Sequence, residues 1–316
     1  LRFPQRYLLK ALKLYFVKDH TDKGDISPFS SLMVALAANI GAGNIIGVGV
    51  AIAAGGPGAI FWCWLTGVLG MATRYSEGLL AIKYRVENKD GNMSGGPMFV
   101  LERGMKCKWL GVAFAVFTAI AAFGIGNLTQ GNAAAEQLHH AFAIPSWGTA
   151  AVLTILTALV MLGGIRSIAK ACAFFVPFMA VIYIIGCVYI LAVQSHYILP
   201  AIRYILDCAF TGEAAAGGVV GAAVMTAMRT GVARGLFSNE AGLGSAAIAS
   251  AAAQNRNPVR QALISSSGPF WDTVVICALT GIVLTTSILA HPDISSSDGP
   301  RLTTLAFSKI PYVGSP

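Results

Sequence analysis

The chain alternates between long apolar stretches and short polar segments. Seven stretches are rich in Ala, Gly, Ile, Leu, Val and Phe and are long enough to be transmembrane candidates. Crossing a hydrocarbon core of about 30 Å takes roughly 20 mostly apolar helical residues. The pattern therefore predicts an all-α polytopic membrane protein with seven spanning helices. The predicted spans are residues 28–54, 58–82, 110–138, 147–165, 171–194, 217–253 and 262–289.

The composition also favours a protein that lies in lipid. Of 316 residues, 55% are hydrophobic and 11% are charged, which is too little charge to solvate a globular surface of this size. The net charge is +8, but the basic residues lie in short loops and form no basic face interleaved with aromatic residues. We therefore expect a lipid bilayer and no nucleic acid as the partner of the chain.

Lys and Arg are distributed unevenly between the two sides of the predicted membrane. They are concentrated in residues 1–27 and 83–108, whereas the loops on the opposite side hold Arg203, Arg301 and Lys309. Because basic loops are retained in the cytoplasm, we expect a cytoplasmic N-terminal end and an inner-membrane location. Residues 1–27 are then either an amphipathic helix on the inner leaflet or an ordinary basic juxtamembrane anchor.

Two of the predicted spans are interrupted by glycine-rich polar sequence. The interruptions are residues 39–44, Asn-Ile-Gly-Ala-Gly-Asn, and residues 235–245, Gly-Leu-Phe-Ser-Asn-Glu-Ala-Gly-Leu-Gly-Ser. They fall in the first and sixth spans, which run in opposite directions, as in an inverted repeat. Broken helices at such positions mark the substrate and ion sites of many secondary transporters. The alternative is that the glycines only let helices pack closely, as the spacing of Gly43 and Gly47 allows.

Motifs for catalysis or cofactor binding are not recognisable in the sequence. Gly41, Gly43 and Gly47 imitate a dinucleotide fingerprint, but a long apolar helix precedes them instead of a short strand. No phosphate-binding loop, nucleophile elbow or zinc-protease motif occurs. The six cysteines are scattered without CxxC spacing. The chain is therefore predicted not to be an enzyme and to need no cofactor.

The sequence resembles the alanine or glycine:cation symporter family, also called sodium:alanine symporters. The resemblance is carried mainly by the string from Gly235 to Ser245 and by Gly-x-Gly-Asn at residues 41–44. It implies the leucine-transporter-type inverted repeat, here truncated to seven transmembrane helices. The implied parts are a first five-helix repeat at 28–194, an extracellular loop at 195–216, and at 217–316 the start of a second repeat whose remaining helices are missing.

Residues in both interruptions are the candidate ligands for substrate and cation. The amides of Ala42 and Gly43, at the positive start of a half-helix, are expected to face the substrate carboxylate. A similarity of the first interruption to neurotransmitter:sodium symporters implies oxygen ligands for sodium, as a hard cation prefers. For Gln130, an interhelical hydrogen bond is the alternative to lining the cavity. The predicted substrate-binding residues are Gly41, Ala42, Gly43, Asn44, Gln130, Phe237, Ser238 and Asn239, and the predicted cation-binding residues are Ala37, Asn39, Ile40 and Asn44.

Ionisable residues inside predicted spans are functional candidates by default. Glu77 lies three residues after Arg74 on one helical face, so we expect a local ion pair. Asp272 lies deeper in its span, and Arg229 and Arg234 are candidate partners. For Asp272 we favour a structural or gating ion pair over a role as a cation ligand.

The interruptions and the resemblance together predict secondary active symport of a small neutral amino acid with sodium, by alternating access. Alanine, glycine, D-alanine and serine are the candidate substrates, and sodium is the predicted coupling ion. A cation-independent exchanger or facilitator of the same fold is the alternative. A membrane sensor that binds such a ligand without moving it is a further class.

Overall fold

A computed structural model describes residues 3–17, 24–211 and 220–309, and these residues are mostly helical. The first part of the described chain contains nine α-helical segments and one antiparallel hairpin, β1 Val86–Glu87 with β2 Met93–Ser94. π-Helical turns at Val100–Gly104 and Ala122–Leu128 continue α5 and α6. The helices are α1 Leu8–Leu14, α2 Pro28–Asn39, α3 Ala42–Gly55, α4 Ala59–Lys83, α5 Pro97–Phe99, α6 Lys108–Ala121, α7 Thr129–Phe142, α8 Ser146–Leu162 and α9 Gly164–Val193.

The later part of the described chain adds six α-helices. A π-helical segment, Phe270–Cys277, leads directly into α14. Short 3-10 helices lie at Ser195–Tyr197 and Ser296–Arg301, and a further one, Pro4–Tyr7, precedes α1. The helices are α10 Ile198–Phe210, α11 Val220–Asn239, α12 Ser245–Ala251, α13 Pro258–Ser266, α14 Ala278–Ala290 and α15 Leu302–Ser308.

Several of the described helices are long and apolar enough to cross a membrane, which confirms the helical membrane class. The shorter apolar helix α8 matches the fourth predicted span, and α4 occupies the position of the second. The count of seven spans and the inverted-repeat architecture stay predictions. The four long apolar stretches found in the described residues are Pro28–Gly55, Lys108–Phe142, Gly164–Val193 and Pro258–Ala290.

The first predicted interruption is a real break between two helices. Helix α2 ends at Asn39 and α3 begins at Ala42. Between them, Gly41 has extended backbone, with φ −172° and ψ −151°. The chain therefore leaves helical geometry for only a short distance before a new helix begins.

The second interruption is longer and more sharply turned. Helix α11 continues to Asn239, so the first half of the predicted interruption is still helical. The turn that follows holds Glu240, Gly242 and Gly244 at φ of 50°, 102° and 78°. Glycine adopts such left-handed backbone without steric cost, whereas a residue such as glutamate rarely does. Gly242 and Gly244 are therefore explained by the turn before α12.

Contacts divide the chain into two compact units, each built from three separate segments. The first unit is Leu1–Ala38, Met71–Pro177 and Glu240–Gly268, and the second is Asn39–Gly70, Phe178–Asn239 and Pro269–Pro316. The predicted division of the chain into repeats stays a prediction.

The first unit is held together where the end of α12 meets two other segments. Ile26 forms a parallel bridge with Ala253. The Arg85 guanidinium donates to the carbonyls of Ala251, Ala253 and Asn255 at 3.0, 2.8 and 2.9 Å. Carbonyls at a helix C-terminus lack partners within the helix, so this one side chain supplies donors that the end of α12 needs.

The second unit is built around an apolar core contributed by five α-helices, the π-helical segment Phe270–Cys277 and one connecting segment. Its helices α4 and α11 approach closely at Gly231. A Cβ atom at this position would lie 2.2 Å from the Ala59 carbonyl oxygen, so only glycine fits there. Small residues allow this approach of two backbones. The buried residues of the core are Val48, Ile52, Ile60, Cys63, Ile205, Cys277, Leu284, Ile294, Leu302 and Ala306.

Candidate functional site

In the second unit, the residue that ends α2 contacts the residue that ends α11. The side-chain amide of Asn39, at the end of α2, donates from Nδ2 to the carbonyl oxygen of Asn239, at the end of α11, over 3.2 Å. Both residues are buried. The end of α2 and the end of α11, which are far apart in the sequence, therefore lie side by side in this unit.

Asp272 is the centre of a buried polar cluster next to these breaks. Asn44 Nδ2 donates to Asp272 Oδ1 at 2.6 Å and to the Asp272 carbonyl at 3.1 Å. The hydroxyls of Ser238 and Thr273 donate to Asp272 Oδ2 at 2.9 and 2.6 Å. Ser238 Oγ also lies 3.3 Å from Cys277 Sγ. Asp272 thus connects the start of α3 with the end of α11.

The chemistry of this cluster suits a small hard cation. Asp272 is 0% exposed, and burying a carboxylate is costly unless other groups compensate its charge. The neutral donors around it supply part of that compensation. The cluster also concentrates carboxylate, hydroxyl and carbonyl oxygens, which are the ligands that hard cations prefer. Asp272 lies in a π-helical segment, an irregularity that often marks functional sites.

Asn44 has a second function at the start of α3. Its side-chain Oδ1 accepts from the backbone amide of Gly41 at 3.3 Å, and the backbone amide of Asn44 donates to the Gly41 carbonyl at 3.0 Å. The side chain therefore caps the broken end of α3 while its other side-chain atom reaches Asp272. The first turn of a helix carries partial positive charge, so this end of α3 can attract an anion.

Most of the predicted site residues lie in this unit. Phe237 packs its ring under the Arg234 guanidinium, with 5.1 Å between the guanidinium carbon and the ring centre. Two predicted residues belong to the first unit, where Ala37 is exposed on α2 and Gln130 is half-buried on α7. The roles of all these residues stay predictions. The predicted residues of the second unit are Asn39, Ile40, Gly41, Ala42, Gly43, Asn44, Phe237, Ser238 and Asn239.

Sequence reasoning missed the part that Asp272 and Thr273 play. The sequence favoured an ion pair for Asp272, whereas the hydrogen bonds to its carboxylate in this cluster come from neutral side chains. An acidic residue followed by threonine within the apolar stretch 262–289 was the available signal. Its partners could not be chosen from the sequence, because they lie far away along the chain.

In the first unit, Glu77 holds the turn of the second break. Its Oε1 accepts from the amides of Gly242 and Gly244 at 2.8 and 3.0 Å. Its Oε2 lies 3.7 Å from Nη1 of Arg74, which is 2% exposed. The predicted pair of Arg74 and Glu77 is therefore confirmed. The carboxylate also accepts hydrogen bonds from two backbone amides in the turn, a contact that the sequence did not predict.

Comparison with known proteins identifies the family. The profile of the sodium:alanine symporter family matches residues 1–315. The chain is 51% identical over 311 residues to the sodium/alanine symporter AgcS of Methanococcus maripaludis, covering 96% of this chain and 68% of that protein. It is 50% identical over 306 residues to an uncharacterized transporter of Haemophilus influenzae, covering 96% and 66%.

A more distant relative is named for another substrate. Identity to the probable sodium/glutamine symporter GlnT of Bacillus subtilis is 38% over 295 residues, which is 93% of this chain and 59% of that protein. The chain spans about two thirds of the length of the first two relatives. The family is one of transporters, which confirms the prediction that the chain is not an enzyme and makes it a multi-pass membrane protein. The chain belongs to the sodium:alanine symporter family.

Proposed function

We propose that this protein moves a small neutral amino acid, alanine or glycine, across the inner membrane together with sodium, by alternating access. The observation that carries the proposal is the buried Asp272 cluster, in which Asn44 from the first break and Ser238 from the second donate to one carboxylate. A cation bound there would contact both broken helices. Its arrival or departure can therefore change how the two helix ends are held.

Two relatives support the choice of ion and substrate. The relative at 51% identity is named a sodium/alanine symporter, and the one at 38% is named a probable sodium/glutamine symporter. The higher identity favours alanine for this chain. D-Alanine and serine are close enough in size to be tested beside alanine and glycine.

In this proposal, the start of α3 receives the substrate and the cluster receives sodium. The amides of Ala42 and Gly43 face the substrate carboxylate, and glycine at 41 and 43 leaves the backbone open to close approach. Carbonyl oxygens of Ala37, Asn39 and Ile40 add cation ligands. Phe237 and Asn239 line the rest of the site in the second unit. For Gln130, on α7 of the first unit, substrate binding stays a prediction. The basic segments of the chain face the cytoplasm, in accordance with the charge asymmetry.

Coupling to sodium has an energetic consequence that can be measured. An amino-acid zwitterion carries no net charge, so symport with sodium moves net positive charge inward. A membrane potential of about 100 mV contributes about 2.3 kcal/mol for each translocated charge. Accumulation should therefore increase when the vesicle interior is made negative.

The test is uptake of labelled alanine by proteoliposomes that contain the protein expressed from its complete coding sequence. We expect accumulation only with an inward sodium gradient, and competition by unlabelled glycine. Uptake that needs a preloaded internal amino acid and ignores sodium would support a cation-independent exchanger. Binding without uptake under any gradient would support a sensor.

Variants of two aspartates connect this activity to the cluster. Asp272→Asn keeps the shape of the side chain and removes its charge, so sodium-driven accumulation should be lost. Asp207→Asn is the matched control, because Asp207 is exposed on α10. Normal sodium-driven accumulation by Asp272→Asn would place the coupling site elsewhere.

A further inference from the structure

Helices α3 and α11 line a cavity in the second unit that is wide open on one side. Its volume is about 530 Å³, within the range of about 300–1,000 Å³ that is common for sites of small ligands. Most of its wall is apolar, and its polar groups come from Arg229, Thr230 and Arg234. Ligand sites typically combine such apolar walls with a few polar groups. The lining residues are Gly47, Val50, Ala51, Arg229, Thr230, Ala233, Arg234 and Phe237.

The side chain of Arg234 is partly buried in this wall. Its Nε and Nη2 are inaccessible to solvent and have no hydrogen-bond partner among the described residues. One face of the group lies over the Phe237 ring, a contact that leaves the N–H groups at its edge without an acceptor. Buried polar groups of a folded protein nearly always have such a partner. A bound ligand with an acceptor oxygen would satisfy these two N–H groups.

Two glycines of α3 make room for this guanidinium. A Cβ atom at Gly43 would lie 2.6 Å from Arg234 Nη2, and one at Gly47 would lie 2.3 Å from Arg234 Cζ. The guanidinium thus rests against the first turns of α3, where the helix itself carries partial positive charge. Two sources of positive charge meet at one place beside an apolar cavity.

We propose that Arg234 binds the α-carboxylate of the transported amino acid in this cavity, an inference that rests on the proposed function. Because Nε and Nη2 are covered by protein atoms, binding requires the guanidinium to turn toward the cavity, where it can offer a carboxylate two parallel N–H donors. Val50, Ala51, Ala233 and Phe237 then cover the short side chain of the substrate. A bare halide would satisfy the charge, but it would leave these apolar walls without a function.

Binding to the purified protein, expressed from its complete coding sequence, tests the proposal without requiring transport. Labelled alanine is bound in sodium and displaced by propionate, which has the carboxylate without the amine, or by ethylamine, which has the amine without the carboxylate. We expect propionate to compete and ethylamine to be weaker. Arg234→Gln should weaken alanine binding about 10- to 100-fold, the loss expected for hydrogen bonds to a charged group, and should abolish competition by propionate. Arg203→Gln, exposed on α10, is the matched control and should bind normally.

A second variant covers the case in which Arg234→Gln does not fold. Gly47→Ala keeps the arginine, but the new methyl group must push its guanidinium aside, so it should also weaken alanine and propionate binding. If Arg234→Gln is monodisperse and binds alanine and propionate as the unmodified protein does, the proposal is wrong. If Arg234→Gln does not fold, unchanged binding of both by Gly47→Ala overturns it.

Two further measurements distinguish carboxylate binding from a halide site and from a failure of sodium coupling. If replacing chloride by methanesulfonate, an anion without a carboxylate, reproduces the full effect of Arg234→Gln, Arg234 serves a halide and the proposal fails. If Arg234→Gln has the predicted binding defect but the unmodified protein shows no sodium-driven uptake, only the proposed coupling fails. If sodium-driven uptake is present and its KM is unchanged in Arg234→Gln, the assignment of Arg234 fails alone.

Discussion

Asn44 Nδ2 lies 2.6 Å from Asp272 Oδ1, although the two residues are 228 positions apart in the chain. Both side chains are 0% exposed. Asn44 also caps the start of α3, so the charge state and ligands of Asp272 are connected directly to the first helix break. This pair connects a buried ionisable group directly to the first glycine-rich interruption.

Asn44→Ala should weaken sodium activation more than it weakens folding. The change removes a donor that lies 2.6 Å from the Asp272 carboxylate, and it removes the cap of α3. Loss of a hydrogen bond to a charged group costs about 1.5–3 kcal/mol, which corresponds to about a 10- to 100-fold higher sodium concentration for half-maximal uptake. Sodium titration of alanine uptake is the measurement. Asn92→Ala, exposed in the β1–β2 turn, should leave the half-maximal concentration unchanged, and an unchanged value for Asn44→Ala would contradict the prediction.

Glu77→Ala should destabilise the first unit. It leaves the amides of Gly242 and Gly244 without their acceptor and removes one ion-pair partner of Arg74. We expect a loss of about 2–4 kcal/mol of unfolding free energy, observed as a lower midpoint of thermal unfolding in detergent. Glu77→Gln should lose less, because its side-chain oxygen can still accept from both amides.

The control for Glu77 is Glu136→Ala, because the Glu136 side chain is 58% exposed. Its midpoint should match that of the unmodified protein. Equal midpoints for Glu77→Ala and Glu136→Ala would mean that the Glu77 carboxylate does not stabilise the turn.

Gly235→Ala should reduce the yield of folded protein. A Cβ atom there would lie 1.7 Å from Thr66 Oγ1 and 2.8 Å from the Cys63 carbonyl oxygen, so α11 and α4 must separate or distort. Overpacking of this kind costs about 1–3 kcal/mol. Size-exclusion chromatography and thermal unfolding measure the effect. The same change at Gly131, where a Cβ atom meets nothing within 4 Å, should be tolerated. If both variants elute as the unmodified protein does and unfold at its midpoint, the close approach of α4 and α11 is not required.

Arg85→Lys should be nearly as damaging as Arg85→Met. One ammonium group cannot reproduce the fork of donors that reaches Ala251, Ala253 and Asn255 together. We expect each change to cost about 2–4 kcal/mol, because buried carbonyls lose charged donors. Thermal unfolding is again the measurement. Lys89→Met, exposed in the loop between β1 and β2, is the control, and full rescue by Arg85→Lys would show that positive charge alone is sufficient.

The positions of the two helix breaks could be predicted from sequence because their signals are local. Glycine-rich polar strings inside apolar stretches indicate irregular backbone wherever they occur. The structure ends α2 at Asn39 and α11 at Asn239, both within the predicted interruptions. The pair of Arg74 and Glu77 was equally predictable, since residues three apart share one face of a helix.

The sequence by itself therefore determined the helical membrane class, the location of the breaks and, through the string from Gly235 to Ser245, the family. Only the tertiary structure decided that Asp272 joins Asn44 to Ser238, and that the guanidinium of Arg234 fills the space left by Gly43 and Gly47. The physical reason is distance along the chain. Hydrophobic periodicity and backbone preference act over a few residues, whereas a buried polar group takes its partners from whichever helices pack around it.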